Sequence, residues 1–326
     1  MTIRKFRWGI IGAGKIAGKF AKDLALLPHA ELYAVASRSQ KRADDFAVKF
    51  DAKHALNAYE KMLDIGVDAV YIATRHPQHC APTIMCLNAE IPVLCEKPLA
   101  MNSMEVAQMI DAAKKNGTFL MEAIWTRFLP SFSKAIELIE ADEIGEILTV
   151  KADFGFHSPF NPHSRLYNRE MGGGVLLDIG IYPILLAQIL FGQHEKMQAM
   201  ACLGTTGVDE ETAVNLSYPN NKFALLHATV RNKTETLAYI HGTKGTMKID
   251  SRWHESNSFS IEFNNGEKRT YEFDFKGAKG YKYEIEHVME CIQNRKKESP
   301  ILPFSFSERL MQTLDEVRYE IGLTYE

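Results

Sequence analysis

A short apolar run, Phe6–Ile11, leads directly into Gly12-Ala13-Gly14-Lys15-Ile16-Ala17, and this junction restricts the possible folds more than any other stretch of the chain. The run is too short for a helix and fits a buried strand. Gly12, Gly14 and Ala17 have the spacing G-x-G-x-x-A. In a strand-to-helix turn the first glycine permits the tight reversal and the second lets the backbone approach a pyrophosphate. The small third residue lets the helix pack close to the strand. The helix beginning at Lys15, Ile16 and Ala17 offers unpaired N–H groups and a positive dipole end to the anion. The motif is weak alone; its place at the first strand–helix junction of a β-α-β unit gives it meaning. Dinucleotide binding is the expectation.

The next hundred residues continue the alternation. Glu31–Ser37, Ala69–Ala73, Pro92–Cys95 and Thr118–Glu122 read as strands. Ile16–Leu27, Lys41–Phe50, a stretch ending near Ala89, and Ser103–Asn116 with Ser103 as N-cap read as helices. Repeated β-α-β units with short apolar strands imply a parallel sheet covered on both faces. After about residue 123 the texture changes. A helix near Pro130–Glu140 precedes a longer strand, Glu146–His157, and a polar loop over 158–170. From about 197 to 275, strand-like runs are separated by turn signals, among them the hairpin pair Asn265-Gly266. Tyr283–Gln293 and Ser305–Ile321 read as closing helices. The chain therefore divides into an N-terminal α/β domain, 1–122, and a C-terminal α+β domain, 123–326, with a mostly antiparallel sheet. At 326 residues, with 46% apolar and 24% charged side chains, both domains can bury a core.

Composition also excludes partners. A net charge of −3 argues against a nucleic-acid binder. The most apolar stretch, Val175–Leu190, is interrupted by Asp178, Gly180, Pro183 and Gln188, so no membrane span is expected. The start lacks the apolar core of a signal peptide. Five widely spaced cysteines without a C-x-x-C fit free thiols in a reducing compartment, so the expected location is cytoplasmic. No cluster has metal-ligand spacing, and no metal is expected.

The end of the second strand bears on which dinucleotide binds. An NAD site usually places Asp or Glu there for the ribose 2′-hydroxyl. This chain has Ser37-Arg38-Ser39, with Lys41 and Arg42 close behind. A hydroxyl and a guanidinium suit a 2′-phosphate, which a carboxylate would repel. NADP is the expected cofactor, with NAD possible.

Three further segments carry chemistry. Glu96-Lys97-Pro98 ends the fifth strand, where ligands bind in open parallel sheets. Thr74-Arg75-His76-Pro77-Gln78-His79 follows the fourth strand at the same edge; Thr74, His76, His79 and Glu96 join Lys97 as expected cofactor-side residues. Gly172-Gly173-Gly174-Val175-Leu176-Leu177-Asp178-Ile179-Gly180-Ile181-Tyr182 opens an apolar segment. Asp178 and Tyr182 are four apart, as on one helical face, although Gly180 and Pro183 favour a kink. An Asp in an apolar run requires a partner such as the Lys97 cation.

These segments, with the turn Gly242-Thr243-Lys244-Gly245-Thr246, resemble the glucose–fructose oxidoreductase / inositol dehydrogenase / MocA family over nearly the whole chain. Within that family, His76-Pro77-Gln78-His79, Val93–Pro98 and Met121-Glu122-Ala123-Ile124-Trp125-Thr126-Arg127-Phe128 are most similar to the dimeric dihydrodiol dehydrogenases and NADP-dependent D-xylose dehydrogenases. Many family members carry His where this chain has Tyr182. The resemblance implies an N-terminal Rossmann domain with a doubly wound parallel sheet and a C-terminal domain with a large open sheet. In the family that sheet commonly forms a homodimer interface. It further implies that Lys97 and Tyr182 flank the nicotinamide with Asp178 nearby, and that Trp125 and Phe154 line an apolar side of the substrate pocket.

The chemistry expected from this set is hydride transfer between nicotinamide C4 and a secondary alcohol or the anomeric carbon of a sugar. Oxidation needs a base for the hydroxyl proton, and Tyr182 is the candidate. A free phenol titrates near pH 10, so a nearby cation, Lys97, must favour the phenolate. Alternatively Lys97 holds the substrate oxygen and Tyr182 orients it. Two other activities fit the same fold: a non-catalytic NAD(P)-sensing regulator, and a glycosidase-type enzyme that retains its nucleotide.

Overall fold

The computed structural model describes residues 4–325 and resolves into two units. The first comprises residues up to Phe128 together with Lys276–Glu308. The second comprises Leu129–Phe275 and the residues from Arg309 onward.

The first unit is built on β1 (Phe6–Ile11), α1 (Lys15–Leu24), β2 (Ala30–Ala36), α2 (Gln40–Phe50), β3 (His54–Leu56) and β4 (Ala69–Ile72). It continues with α3 (Cys80–Asn88), β5 (Val93–Glu96), α4 (Ser103–Asn116) and β6 (Leu120–Ala123). The six strands run in the order β3-β2-β1-β4-β5-β6, and every pair is parallel. This is the doubly wound dinucleotide-binding order, whose chain reversal between β1 and β4 opens a crevice at the carboxyl ends of the strands. Burial explains the apolar runs: β4, β5 and β6 are buried at every position. The N-cap of α4 is Asn102 rather than Ser103, because its side chain accepts from the Glu105 N–H at 2.9 Å. The short strand β3 has no expected counterpart; its three residues are only half-buried.

The second unit contains α5 (Pro130–Glu140), β7 (Ile147–Gly155), α6 (Ile181–Phe191), β8 (Lys196–Leu203), β9 (Asp209–Tyr218) and β10 (Lys222–Thr229). After these come β11 (Ala238–Gly242), β12 (Gly245–Ile249), β13 (Ser258–Phe263) and β14 (Lys268–Glu272). The eight strands run β14-β13-β12-β11-β7-β10-β9-β8, and only β7 and β10 pair in parallel. One face is buried and the other presents Phe223, Leu225 and Met200. The Asn265-Gly266 signal marks the β13–β14 hairpin, with Gly266 at φ +86°.

Two closing helices follow, α7 (Tyr281–Gln293) and α8 (Phe304–Glu320). A division at residue 122 assigns α7 to the C-terminal domain, but it belongs to the first unit. Asp23, on α1, explains this return. Its carboxylate is 2% exposed and accepts from the N–H groups of Lys279, Gly280 and Lys282 at 2.9–3.1 Å. That satisfies the free donors at the start of α7 and places an anion at the positive end of its dipole.

The run ahead of α6 differs from a simple kink. Leu176–Gly180 forms a π turn that continues directly into α6. Pro183 has no N–H to give to the turn before it, and the widened turn accommodates this. The helical stretch 169–191 is long and apolar enough to cross a membrane by length and composition, and 83% of its apolar window is buried inside the structure.

Candidate active site

In the first unit the ends of β1, β2, β4 and β5 converge on one sheet edge. At β1 the chain reverses at Gly12, which has φ +104°. A Cβ there would lie 2.6 Å from the Ala73 carbonyl oxygen, so only glycine fits. Gly14 precedes α1 without a side chain to cap it, leaving the N–H groups of Lys15, Ile16 and Ala17 to an anion. The residues therefore fit a dinucleotide pyrophosphate. At β2, Ser37 is buried and its hydroxyl accepts from the Ser39 N–H at 3.3 Å, while Arg38 is exposed. Ser39 caps α2 by accepting from the Arg42 N–H.

The β4 and β5 ends are tied together. Thr74 donates its hydroxyl to the Gln78 carbonyl at 2.7 Å, closing a short turn that contains His76. His79 is fully buried. Its Nδ1 lies 2.9 Å from the Pro98 carbonyl and its Nε2 lies 3.3 Å from the Thr74 carbonyl. Burial lowers its pKa to about 4, so the ring is neutral at pH 7. The neutral ring has one N–H, which the shorter contact assigns to the Pro98 carbonyl; His79 thus ties down the Lys97-Pro98 loop and packs beside the Thr74 loop, where a cofactor contact is the sequence expectation.

Glu96 also turns inward. Its carboxylate accepts the Tyr71 hydroxyl, and burial raises its pKa. Tyr71 in turn stacks on Phe20 of α1 at 3.9 Å. Beyond Lys97, the Leu99 N–H donates to Glu122 Oε1 at 2.9 Å, and the Ser307 hydroxyl donates to Glu122 Oε2 at 2.6 Å. Burial raises Glu122 to about 7 against those two donors. Lys97 itself is half-buried, in a loop fixed on one side by His79 and on the other by Glu122. Trp125 is buried and stacks on Tyr281 of α7 at 4.9 Å with planes 7° apart.

The second unit gathers a different set. Tyr182 is 6% exposed. Its ring lies 5.7 Å from Phe154 and 5.1 Å from His254. Phe154 and His254 stack at 4.0 Å with planes 20° apart. Asp178 is 7% exposed, and Arg165 of the 158–170 loop donates to it at 2.8 Å. A cation beside Asp178 is thus supplied from within the same unit, by a residue that carried no sequence signal. His254 is equally silent in sequence. It sits in a single turn after β12, entered through Arg252 at φ +59°. The neighbouring Trp253 is 1% exposed and donates its indole N–H to the Asp153 carbonyl at 2.9 Å, next to Phe154. That anchor aligns His254 with the Phe154 ring.

With both assemblies described, known proteins give the family. Residues 6–124 match the model of the GFO/IDH/MocA oxidoreductase family, NAD-binding Rossmann fold, and residues 132–248 match its C-terminal domain. The chain belongs to this family. It is a nicotinamide-dependent oxidoreductase, and its first unit is the NAD-binding Rossmann domain. It is 37% identical over 331 residues to trans-1,2-dihydrobenzene-1,2-diol dehydrogenase of Mus musculus, and 36% identical over 331 residues to that of Homo sapiens. Each match covers 98% of both chains. Among solved structures it is similar to a 3-ketoreductase from Actinomadura kijaniata in complex with NADP and TDP-benzene (TM-score 0.87, 23% identity). It is also similar to a levoglucosan dehydrogenase in complex with NADH and levoglucosan (TM-score 0.88, 20% identity). Both cover 98% of each chain and share the fold.

Proposed function

We propose that the chain is an NADP(H)-dependent dehydrogenase or reductase that transfers a hydride between nicotinamide and a secondary alcohol or aldose carbon of a sugar or cyclic diol. The observation that carries this reading is the Lys97 loop, fixed by His79 and Glu122 at the same Rossmann edge as the Gly12 turn. The dihydrodiol and levoglucosan dehydrogenase relatives support the substrate class.

Tyr182 is the acid/base. On oxidation its phenolate would take the substrate's hydroxyl proton, and on reduction its phenol would return it. The Lys97 ammonium favours the phenolate and orients the oxygen. Phe154 and His254 give the tyrosine an aromatic wall that excludes water and strengthens its attraction to a nearby cation. Asp178, held by Arg165, orients the polar side of the substrate. Trp125, stacked and buried in the first unit, contributes its indole edge to the substrate side. A bound dinucleotide would supply the hydride acceptor, and Gly12, Gly14 and the α1 N-terminus would hold its phosphates.

Ser37 and Arg38 set the preference for NADP over NAD, because no carboxylate stands at the end of β2. The outward face of the eight-stranded sheet, with Phe223, Leu225 and Met200 exposed, supports a homodimer through that sheet. The free thiols of Cys80, Cys86, Cys95, Cys202 and Cys291 suit a reducing, cytoplasmic location.

Reduction of NADP⁺ or NAD⁺, followed by absorbance with D-xylose, D-glucose, an inositol and a trans-dihydrodiol, tests the reading. Turnover with NADP⁺ on any of these supports it. Turnover with NAD⁺ alone removes the 2′-phosphate argument and keeps the chemistry. Silence in oxidation and in the matching carbonyl reductions would overturn it in favour of a nucleotide-sensing protein.

A further inference from the structure

The turn Gly172–Gly174, which leads into the segment bearing Asp178 and Tyr182, is held from two sides by residues distant in sequence. Asp209, at the start of β9, is 1% exposed. Its Oδ2 accepts from the Leu176 N–H at 2.8 Å and from the Thr212 hydroxyl at 2.7 Å. A carboxylate here satisfies a first-turn donor and faces the positive end of the helical segment. From the other side, the Tyr325 hydroxyl donates to the Gly173 carbonyl at 2.6 Å. Arg318 lies 5.5 Å from the centre of the Tyr325 ring, and Arg169 Nη2 donates to Thr324 Oγ1 at 2.7 Å.

There is no slack between these two pegs. A Cβ on Gly174 would lie 2.1 Å from Asp209 Oδ1 and 3.3 Å from the Tyr325 hydroxyl. A Cβ on Gly173 would lie 2.8 Å from each of the carbonyl oxygens of Arg165, Leu166 and Asn168. The turn also donates backward into its own loop. Gly172, Gly173 and Gly174 give their N–H groups to the carbonyls of Arg169, Asn168 and Leu166 at 2.8–3.0 Å. The loop that delivers Arg165 to Asp178 and the helix that delivers Tyr182 are therefore joined at one hydrogen-bonded turn.

We propose that Asp209 and Tyr325 are positioning residues for the reaction, acting through Leu176 and Gly173 respectively to fix where Asp178 and Tyr182 stand. They touch no reacting atom. The inference rests on the role given above to Tyr182, and it extends that site to residues 27 or more positions away in sequence, with no motif of their own.

The test compares Tyr325→Phe, Asp209→Ala and Asp209→Asn with the wild-type chain. Turnover is normalised to the number of sites that bind NADP⁺, and KM, thermal midpoint and amide hydrogen exchange over 172–178 are read alongside. Losing the Tyr325 hydroxyl lowers kcat about 5-fold, the share of one hydrogen bond. Asp209→Ala lowers kcat about 100-fold, as expected when a reacting group shifts by about 1 Å. Asp209→Asn keeps an oxygen for the Leu176 N–H and recovers most of that loss. NADP⁺ affinity and KM stay within about 2-fold, because orientation and not binding is lost. Exchange over 172–178 rises in Tyr325→Phe and Asp209→Ala. A fall in thermal midpoint with kcat per site unchanged would overturn the proposal. If the wild-type chain turns over none of the substrates, the functional reading fails, and exchange over 172–178 decides the clamp alone: unchanged exchange in Tyr325→Phe overturns it, raised exchange sustains it.

Discussion

In the six-stranded sheet β4, β5 and β6 are buried at every position, whereas the eight-stranded sheet is buried on one face and carries Phe223, Leu225 and Met200 on the other. The first sheet uses its carboxyl edge, and the residues there answer to one ligand shape. A pyrophosphate approached by backbone demands glycine at Gly12 and Gly14, so the requirement is written into consecutive residues. The second sheet answers to side-chain packing. Phe154, His254 and the stretch bearing Asp178 and Tyr182 come from three separate segments, and many other residues would build an aromatic cluster of the same kind. The nucleotide side is thus coded locally, and the proposed substrate side by long-range contacts.

The largest expected effect would break this comparison at its chemical residues. Lys97→Met in the first unit and Tyr182→Phe in the second should each lower kcat by about 1000-fold or more, about 4 kcal/mol of transition-state stabilisation. NADP⁺ affinity, read by fluorescence titration, should stay within about 3-fold. Near-wild-type rates in both variants would refute the assignment.

Next comes the locally coded turn. Gly12→Ala forces a Cβ toward the Ala73 carbonyl at a positive φ. It should cost about 3 kcal/mol of stability in denaturant titration and weaken cofactor binding. A similar size is expected for Glu122, whose folded pKa is raised to about 7 from an ordinary value of 4.5. A carboxyl raised in the folded state favours folding fully below the unfolded value, and that contribution is lost as pH rises through about 7. Glu122→Gln should therefore flatten the loss of stability between pH 4.5 and 7 by about 3 kcal/mol in urea midpoints compared across that window. An unchanged slope would show that Glu122 does not titrate there.

A smaller effect sharpens the nucleotide side. Arg38→Ala should weaken NADP⁺ binding by about 10–100-fold, the range of one charge-assisted hydrogen bond, and leave NAD⁺ binding nearly unchanged. Equal losses for both nucleotides would place Arg38 away from the 2′-phosphate. The smallest effect on chemistry is expected on the open sheet face. Phe223→Glu with Leu225→Glu should shift the proposed dimer to monomer in light scattering, with cofactor affinity within about 2-fold.

Legibility follows the same division. The first sheet was readable strand by strand, because buried parallel strands are near-continuous apolar runs. Only β3 escaped, being three half-buried residues. In the second unit, the change of texture and the Asn265-Gly266 hairpin were readable, but the order of eight strands was not. Ser37, Arg38, Lys97, Asp178 and Tyr182 stood out because their residue types are unusual at a strand end or in an apolar run. His254, Arg165 and Tyr325 gave no local sign, and Asp209 reads only as a turn signal between strands: each meaning depends on a partner reached only after folding. The return of α7 to the first unit was equally hidden, since the Asp23 carboxylate meets the Lys279 N–H across 256 residues of sequence. Glu96 and His79 were legible as residues of the edge but not as braces, because sequence does not reveal that Tyr71 and the Pro98 carbonyl face them.

Isotope transfer tests the central claim most directly. The substrate that supports turnover is labelled with deuterium at the carbon bearing the reacting hydroxyl, and the NADPH formed is analysed by NMR. Direct hydride transfer predicts deuterium at nicotinamide C4 of every NADPH formed, at a rate that Tyr182→Phe lowers by about 1000-fold. Deuterium appearing in water, or NADPH formed without label, would contradict the account.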